Sequence, residues 1–235
     1  MAKKRKARTF VLGDLHGNIK ALKQVLKTSS FKYNKDELIV LGDVCDGWAY
    51  VDKCIDELLK IKNLKFIMGN HDKWALEWAL TGKWNEGWTM QGGMNTIRSY
   101  YRDGKSANLM PKSHVEFLSQ ALPYYEKGNL LFVHGGIKAW TKASENDLET
   151  LIWDRDLVEG SLRGYTPLTH YDMVYVGHTP TNSYGIYEPI SCNGITMMDT
   201  GAGWGKGRLS MMNIDSKVIY QSSQGQELYP NEKGR

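Results

Sequence analysis

The sequence has 235 residues, long enough for one sizeable α/β domain or one domain with a subdomain, and its 41% hydrophobic and 24% charged content is ordinary for a soluble globular chain. Its formal charge is +4, but Lys3, Lys4, Arg5, Lys6 and Arg8 carry more than that excess at one end, so the remainder is close to neutral and nucleic acid is not indicated beyond this basic arm. No apolar run approaches the roughly 18 residues of a membrane span, and three cysteines without a Cys-x-x-Cys pair fit a reducing, cytoplasmic setting.

Residues 1–8 are expected to form a disordered basic arm. The arm resembles the start of a signal peptide, yet Thr9-Phe10-Val11-Leu12 runs straight into Gly13-Asp14, far short of an apolar region of about 7–15 residues. Residues 9–223 read as a single domain, and 224–235 as a polar tail expected to fray.

Phe10-Val11-Leu12 is a short apolar run with strand character that ends in Gly13-Asp14-Leu15-His16-Gly17. Its glycines allow a sharp turn that presents a carboxylate and an imidazole together. Asn18 to Lys27 has helical spacing, with Ile19, Leu22 and Leu26 on one face. Glu37 to Leu41 is a second strand, ending in Gly42-Asp43-Val44-Cys45-Asp46-Gly47. A helix from about Val51 to Ile61 leads to a third strand, Leu64 to Met68, ending in Gly69-Asn70-His71-Asp72. This alternation predicts βαβαβ crossovers and a parallel sheet, with all three polar clusters at the carboxyl ends of strands, where such sheets bind ligands.

A helical insertion is expected over about 73–122. Five of the eight tryptophans lie between Trp48 and Trp88, as insertion core or as an aromatic lip for an organic leaving group. Ser113-x-x-Glu116 reads as a capping box for a helix to about Leu122. Leu130 to Val133 is a strand ending in His134-Gly135-Gly136, Ser144-x-x-Asp147 reads as a further helix start, and Met173 to Val176 ends in Gly177-His178-Thr179-Pro180. Asn193-Gly194 predicts a hairpin, and Leu209 to Gln221 a closing hairpin around Asp215-Ser216.

Four of the six histidines thus fall in glycine-flanked turns after apolar runs. Carboxylates, an amide and imidazoles gathered at one sheet edge would repel or strand one another unless divalent cations held them.

The ordered blocks Gly-Asp-x-His-Gly, Gly-Asp-x-x-Asp, Gly-Asn-His-Asp, His-Gly-Gly and Gly-His-Thr resemble the calcineurin-like metallophosphoesterase family. Their order points to its serine/threonine-phosphatase branch, which includes compact bacterial and bacteriophage enzymes. The resemblance implies an α/β fold, a metallophosphoesterase-type β-sandwich with a βαβαβ metal-binding core, flanking helices and the Trp-rich insertion. It implies two divalent metals, manganese first with iron or zinc as alternatives. Asp14 and His16 would hold one metal, Asp43 would bridge, and Asn70, His134 and His178 would complete the second site, Asn70 also touching substrate. A hydroxide between the metals would attack phosphorus in line. His71 would protonate the leaving group, with Asp46 orienting its ring. Asp199 is either a support behind the metal ligands or a cap for Gly201.

One departure stands out. The family carries Arg-Gly after the second Asp of its second block, and that Arg grips the substrate phosphate, whereas this chain has Gly47-Trp48. Arg155, in Trp153-Asp154-Arg155-Asp156, is the expected replacement unless it pairs with its neighbouring carboxylates, and Arg98 is the weaker candidate. The expected function is hydrolysis of phosphoserine or phosphothreonine esters in a phosphorylated protein or small phosphoester. The alternatives are a dinucleoside-polyphosphate or nucleotide hydrolase on the same centre, and a decayed phosphate-binding module.

Overall fold

The computed structural model describes residues 6–84, 86–101, 110–165 and 168–235. Of the basic arm, residues 1–5 lie outside the described residues. Arg8 does not belong to an arm, because its guanidinium pairs with buried Asp36 at 2.5 Å.

In chain order, β1 (Thr9–Leu12), α1 (Ile19–Thr28), β2 (Glu37–Val40), α2 (Val51–Leu58), β3 (Asn63–Phe66) and α3 (Asn70–Thr81) make the expected βαβαβ unit. Then come α4 (Glu86–Trp88), a kink at Thr89–Gly93 where Gln91 and Gly92 leave helical backbone angles, α5 (Met94–Ser99) and α6 (Lys112–Ser119). The second half contains β4 (Tyr125–Lys127), β5 (Leu130–Val133), α7 (Leu148–Trp153), α8 (Asp156–Leu162), β6 (Met173–Val176), β7 (Ile190–Cys192), β8 (Ile195–Met197), β9 (Ser210–Asn213), β10 (Ile219–Gln221) and α9 (Gly225–Leu228).

Two five-stranded mixed sheets result, β10-β9-β1-β2-β3 and β4-β5-β6-β8-β7. β1, β2 and β3 run parallel in the first, and β5, β6 and β8 in the second. Strand alternation explains the layers. Val11, Ile39, Phe132, Tyr175 and Met212 point inward and form the core between the sheets, where Phe132 stacks on Tyr175 at 4.9 Å. Phe10, Leu12, Leu38 and Val40 face the other way, onto α1 and α2. Leu131, Val133, Val174 and Val176 pack outward with α7 and α8 residues Leu151, Leu157 and Val158. Both faces of the central strands are buried, which is why they read as unbroken apolar runs.

Local signals were read correctly at the Asn193-Gly194 turn, where both residues have positive φ (49° and 79°) and join β7 to β8. Others need correction. α6 begins at Lys112 with Pro111 as its N-cap and no side-chain cap bond, so Ser113 and Glu116 do not form a capping box. Asp147 is not the third residue of a Ser144 box. It is itself the N-cap of α7, accepting from the Thr150 N–H at 2.7 Å, while Ala143–Glu145 is a separate 3-10 turn. β4 has no counterpart among the predicted strands. The stretch after Gln224 is not frayed, since α9 forms there and Tyr229 is 1% exposed. No helix among the described residues is long and apolar enough to cross a membrane.

Candidate metal centre

The loops leaving β1, β2, β3, β5 and β6 converge at one edge of the sandwich, and each delivers its cluster there. Asp14, His16, Asp43, Asp46, Asn70, His71, His134 and His178 are all buried. Asp14, His16 and Asp43 form one group, and Asp43, His134 and His178 a second, with ligating atoms within 4.8 Å of one another in each. Asp43 belongs to both. The backbone is forced to achieve this: His16, Asp43, Asp46 and His178 all take positive φ, between 47° and 70°, a conformation costly for side chains with a Cβ and concentrated at functional sites.

The His16 and His134 imidazoles are each oriented by their second nitrogen. His16 Nδ1–H donates to Cys45 O at 3.0 Å, leaving Nε2 to the centre. His134 Nδ1–H donates to Leu41 O at 2.7 Å, leaving Nε2 at 3.0 Å from Asn70 Oδ1 and 3.4 Å from Asp43 Oδ1. A carbonyl can only accept, so the tautomer follows from the geometry. His178 Nδ1 lies 2.9 Å from the same Asn70 oxygen, and its backbone N–H donates to Asp14 Oδ2 at 3.0 Å. Asp43 Oδ1 also accepts the His71 N–H at 3.0 Å, in the first turn of α3, where a carboxylate is favoured.

These groups displace one another's protons. Burial, then Asp199, push the Asp14 carboxyl well above its usual range. Asp43 is held well below, burial opposing but His134 and His71 prevailing. Burial would lower His134, yet Asp43 beside it lifts it to about 10. Burial drives His16 down to about 3 and His178 to about 2.

The residues present fit a pair of divalent cations. Asp14 Oδ1 and His178 Nε2 are buried without a hydrogen-bond partner among the described residues. A Cβ on Gly69 would strike the Asp43 carboxylate, and one on Gly177 the Asp14 carboxylate, so the cradle has room for these oxygens only because glycines line it. The mixed oxygen and nitrogen donors suit manganese, iron or zinc.

Beside this centre His71 Nδ1 is in a short hydrogen bond to Asp46 Oδ2. Asp46 is saturated: Trp88 Nε1–H donates to it at 2.8 Å and the Thr96 hydroxyl at 2.6 Å. The Asp46 N–H in turn donates to Thr96 Oγ1 at 2.8 Å. With Nδ1 so tied, His71 presents Nε2 outward, its ring 5.1 Å from that of His16. Sequence reading missed Trp88 and Thr96, which lie in the insertion. It also missed Asp72, whose carboxylate accepts the Val44, Cys45 and Gly69 N–H groups and ties the loops after β2 and β3 together. A Gly-Asn-His-Asp block contains that signal.

The tryptophans divide. Trp78 and Trp88 are insertion core. Trp74 bridges His71 and Trp153, and Trp153 stands edge-on to His178 at 5.5 Å, so this pair rims the site. Trp84 is exposed. Asp199 accepts the Gly201 N–H at 2.9 Å, as a cap does, and also faces Asp14 closely enough to raise its pKa. Arg155 is exposed and makes no ion pair with Asp154, Asp156 or any other described carboxylate, and its charge reaches His178. Arg98 bonds to Asn95 Oδ1 on the exposed side of α5.

Residues 7–198 match the profile of the calcineurin-like phosphoesterases. Over 212 residues, covering 87% of this chain and 91% of the relative, the chain is 25% identical to serine/threonine-protein phosphatase 1 of Salmonella typhimurium. A shorter stretch of 68 residues, 27% of this chain and 24% of the relative, is 35% identical to a symmetrical bis(5'-nucleosyl)-tetraphosphatase of Psychromonas ingrahamii. The fold superposes on a metallophosphoesterase from Sphaerobacter thermophilus with a TM-score of 0.59 at 16% identity, over 92% of this chain and 89% of that one.

Proposed function

This chain belongs to the calcineurin-like phosphoesterase family, and on that premise we propose that it is a metal-dependent phosphomonoesterase of the serine/threonine-phosphatase kind. The observation that carries the proposal is the His71–Asp46 pair held beside two ligand groups that share Asp43. Asp14, His16 and Asp43 would hold one divalent metal, and Asp43, Asn70, His134 and His178 the other, with manganese the first choice. When bound, the metal pair supplies an activated water and neutralises phosphate charge.

The chain's own residues do the rest. His71 Nε2 gives its proton to the leaving alkoxide, and Asp46, anchored by Trp88 and Thr96, keeps Nδ1 protonated and the ring in place. Arg155, in no ion pair with a described carboxylate and with its charge reaching His178, would receive a phosphate oxygen, as would the Asn70 amide. The similarity along most of the chain to a serine/threonine-protein phosphatase supports a phosphorylated protein as substrate. Free cysteines, two of them buried, suit the cytoplasm.

A second reading keeps the same centre but gives it a dinucleoside polyphosphate. Two observations favour it: the 68-residue match to a tetraphosphatase and the Trp74–Trp153 pair at the rim, a surface on which a base could stack. Phosphate release from a phosphoserine peptide and from diadenosine tetraphosphate, both with manganese and against an Asp43→Asn background, decides between them. Peptide preference upholds the proposal, dinucleotide preference replaces it with the second reading, and turnover of neither above background overturns both.

A further inference from the structure

The loop that lacks the arginine is tightly closed over His16. Gly47 has φ +73°, and a Cβ there would lie 2.7 Å from His16 Cβ, so this loop cannot carry a side chain at the position where the family's phosphate-gripping Arg is expected.

The aromatic residues just after Gly47 serve another purpose. Trp48 is 1% exposed, its Nε1–H donates to Ala202 O at 2.8 Å, and its ring stacks on Tyr229 at 4.6 Å and 21°. Tyr50 stacks on Tyr229 as well, at 5.2 Å, and its hydroxyl donates to Glu232 Oε1 at 2.6 Å. Gly225 and Gly234 press against the same indole so closely that a Cβ on either would lie 2.6 or 2.8 Å from a ring carbon. Trp48 and Tyr50 are therefore a bed for the segment 225–235.

That segment delivers a cation. The Arg235 N–H donates to Gly203 O at 2.7 Å, and its guanidinium lies 5.0 Å over the Trp204 ring. Nη2 reaches Gln91 Oε1 at 3.3 Å, and Nη1 stands 3.4 Å from His16 Nε2, the nitrogen that faces the metal centre. No carboxylate among the described residues forms an ion pair with Arg235. The donors of this planar guanidinium meet only an amide oxygen and the imidazole nitrogen that a metal would take, and its charge reaches Asp199 without an ion pair, so with the centre loaded they can turn to a phosphate oxygen.

We propose that Arg235 is a second substrate-binding residue beside Arg155, gripping the phosphate from the side of the missing arginine and brought across the fold by a segment bedded on Trp48 and Tyr50. The proposal rests on the phosphoesterase reading of the centre. The His71 ring is 5.1 Å from that of His16, so the guanidinium and the proposed acid both adjoin the same imidazole.

The test is calorimetric titration of inorganic phosphate into the manganese-loaded full chain, with KM and kcat measured in parallel on a phosphomonoester. Arg235→Ala should weaken phosphate binding about 10- to 100-fold, the worth of a charge-assisted pair, and raise KM by a similar factor with a smaller change in kcat. Arg235→Lys should recover part of the loss. Tyr229→Ala, which removes the segment's stacking on that bed but keeps the arginine, should weaken phosphate in the same direction, and Arg98→Ala should leave it unchanged. Equal phosphate affinity in Arg235→Ala overturns the proposal. So does tighter binding or faster turnover, which would make the segment a plug. Failure of the unsubstituted protein to bind phosphate overturns both this proposal and the phosphoesterase reading. Arg235-dependent phosphate binding without turnover of any ester supports the arginine's role and removes only the proposed activity.

Discussion

The indole nitrogen of Trp88 donates to both carboxylate oxygens of Asp46, at 2.8 and 3.1 Å. A tryptophan from the helical insertion thus sets the carboxylate that sets the proposed acid, His71. Trp88→Phe keeps the buried ring and removes the donor. It is expected to lower kcat about tenfold, the scale of one hydrogen bond to a charged group, with KM little changed. Steady-state rates on a phenyl phosphate with a poor leaving group check this, and an unchanged kcat would mean that Thr96 alone suffices to orient Asp46.

His71→Ala should slow a substrate with a poor leaving group by about 10²–10⁴. A substrate whose leaving group needs no proton, such as a nitrophenyl ester, should suffer much less. The ratio of the two losses is the measurement, and equal losses would assign His71 to structure rather than to proton transfer.

Asp43 lies in both ligand groups, so Asp43→Asn should reduce bound manganese below the two ions per chain expected of the unsubstituted protein and bring activity to background. Elemental analysis of the purified variant gives the metal count. Chelation of the unsubstituted protein should likewise abolish activity and lower the melting temperature, because buried carboxylates and imidazoles then lose the cations that balance them.

Arg155→Ala should raise KM for a phosphomonoester by about tenfold through loss of one charge-assisted contact. Its melting temperature should not change, since the side chain makes no ion pair with a described carboxylate and is exposed. A lowered melting temperature with unaltered KM would instead make it a structural residue.

Away from the site, Asp36 fixes the entry to β1. Its carboxylate accepts from Arg8 Nη2 at 2.5 Å, the Arg8 N–H at 3.1 Å and the Lys32 N–H at 3.0 Å. Burial would raise its pKa, but these bonds and the Arg8 charge outweigh it, and the pKa is lowered. A group whose folded pKa lies below its unfolded value stabilises the fold above that unfolded value, about 3.9 for Asp, and loses the contribution as pH falls through the folded pKa. Asp36→Asn should therefore cost about 3 kcal/mol near neutrality, and the difference from the unsubstituted protein should shrink in denaturant melts below about pH 4.

Much of the centre is legible in the chain because its signals are local. An apolar strand followed by Gly-Asp or Gly-His needs only short-range backbone geometry to place a donor at a strand end, and parallel strands bring those ends to one edge. Asp14, His16, Asp43, Asn70, His134 and His178 were reached this way, helped by the ordered resemblance of their blocks. The same locality misled at Ser113 and Ser144, where capping patterns exist in the sequence but Pro111 and Asp147 take the caps. It misled at the polar stretch after Gln224 too, because the partner that orders it, Trp48, is remote in sequence.

The class of chemistry is therefore written locally along the chain, in the donors that stand in each turn and in the arginine that is missing after Asp46. The groups that complete the site come from long-range packing. Trp88 and Thr96 reach Asp46 from 42 and 50 residues away, and Arg235 meets His16 across 219. No periodicity or turn preference encodes such contacts. They depend on how an insertion and a returning segment pack against a loop whose Gly47 leaves no room for a side chain of its own.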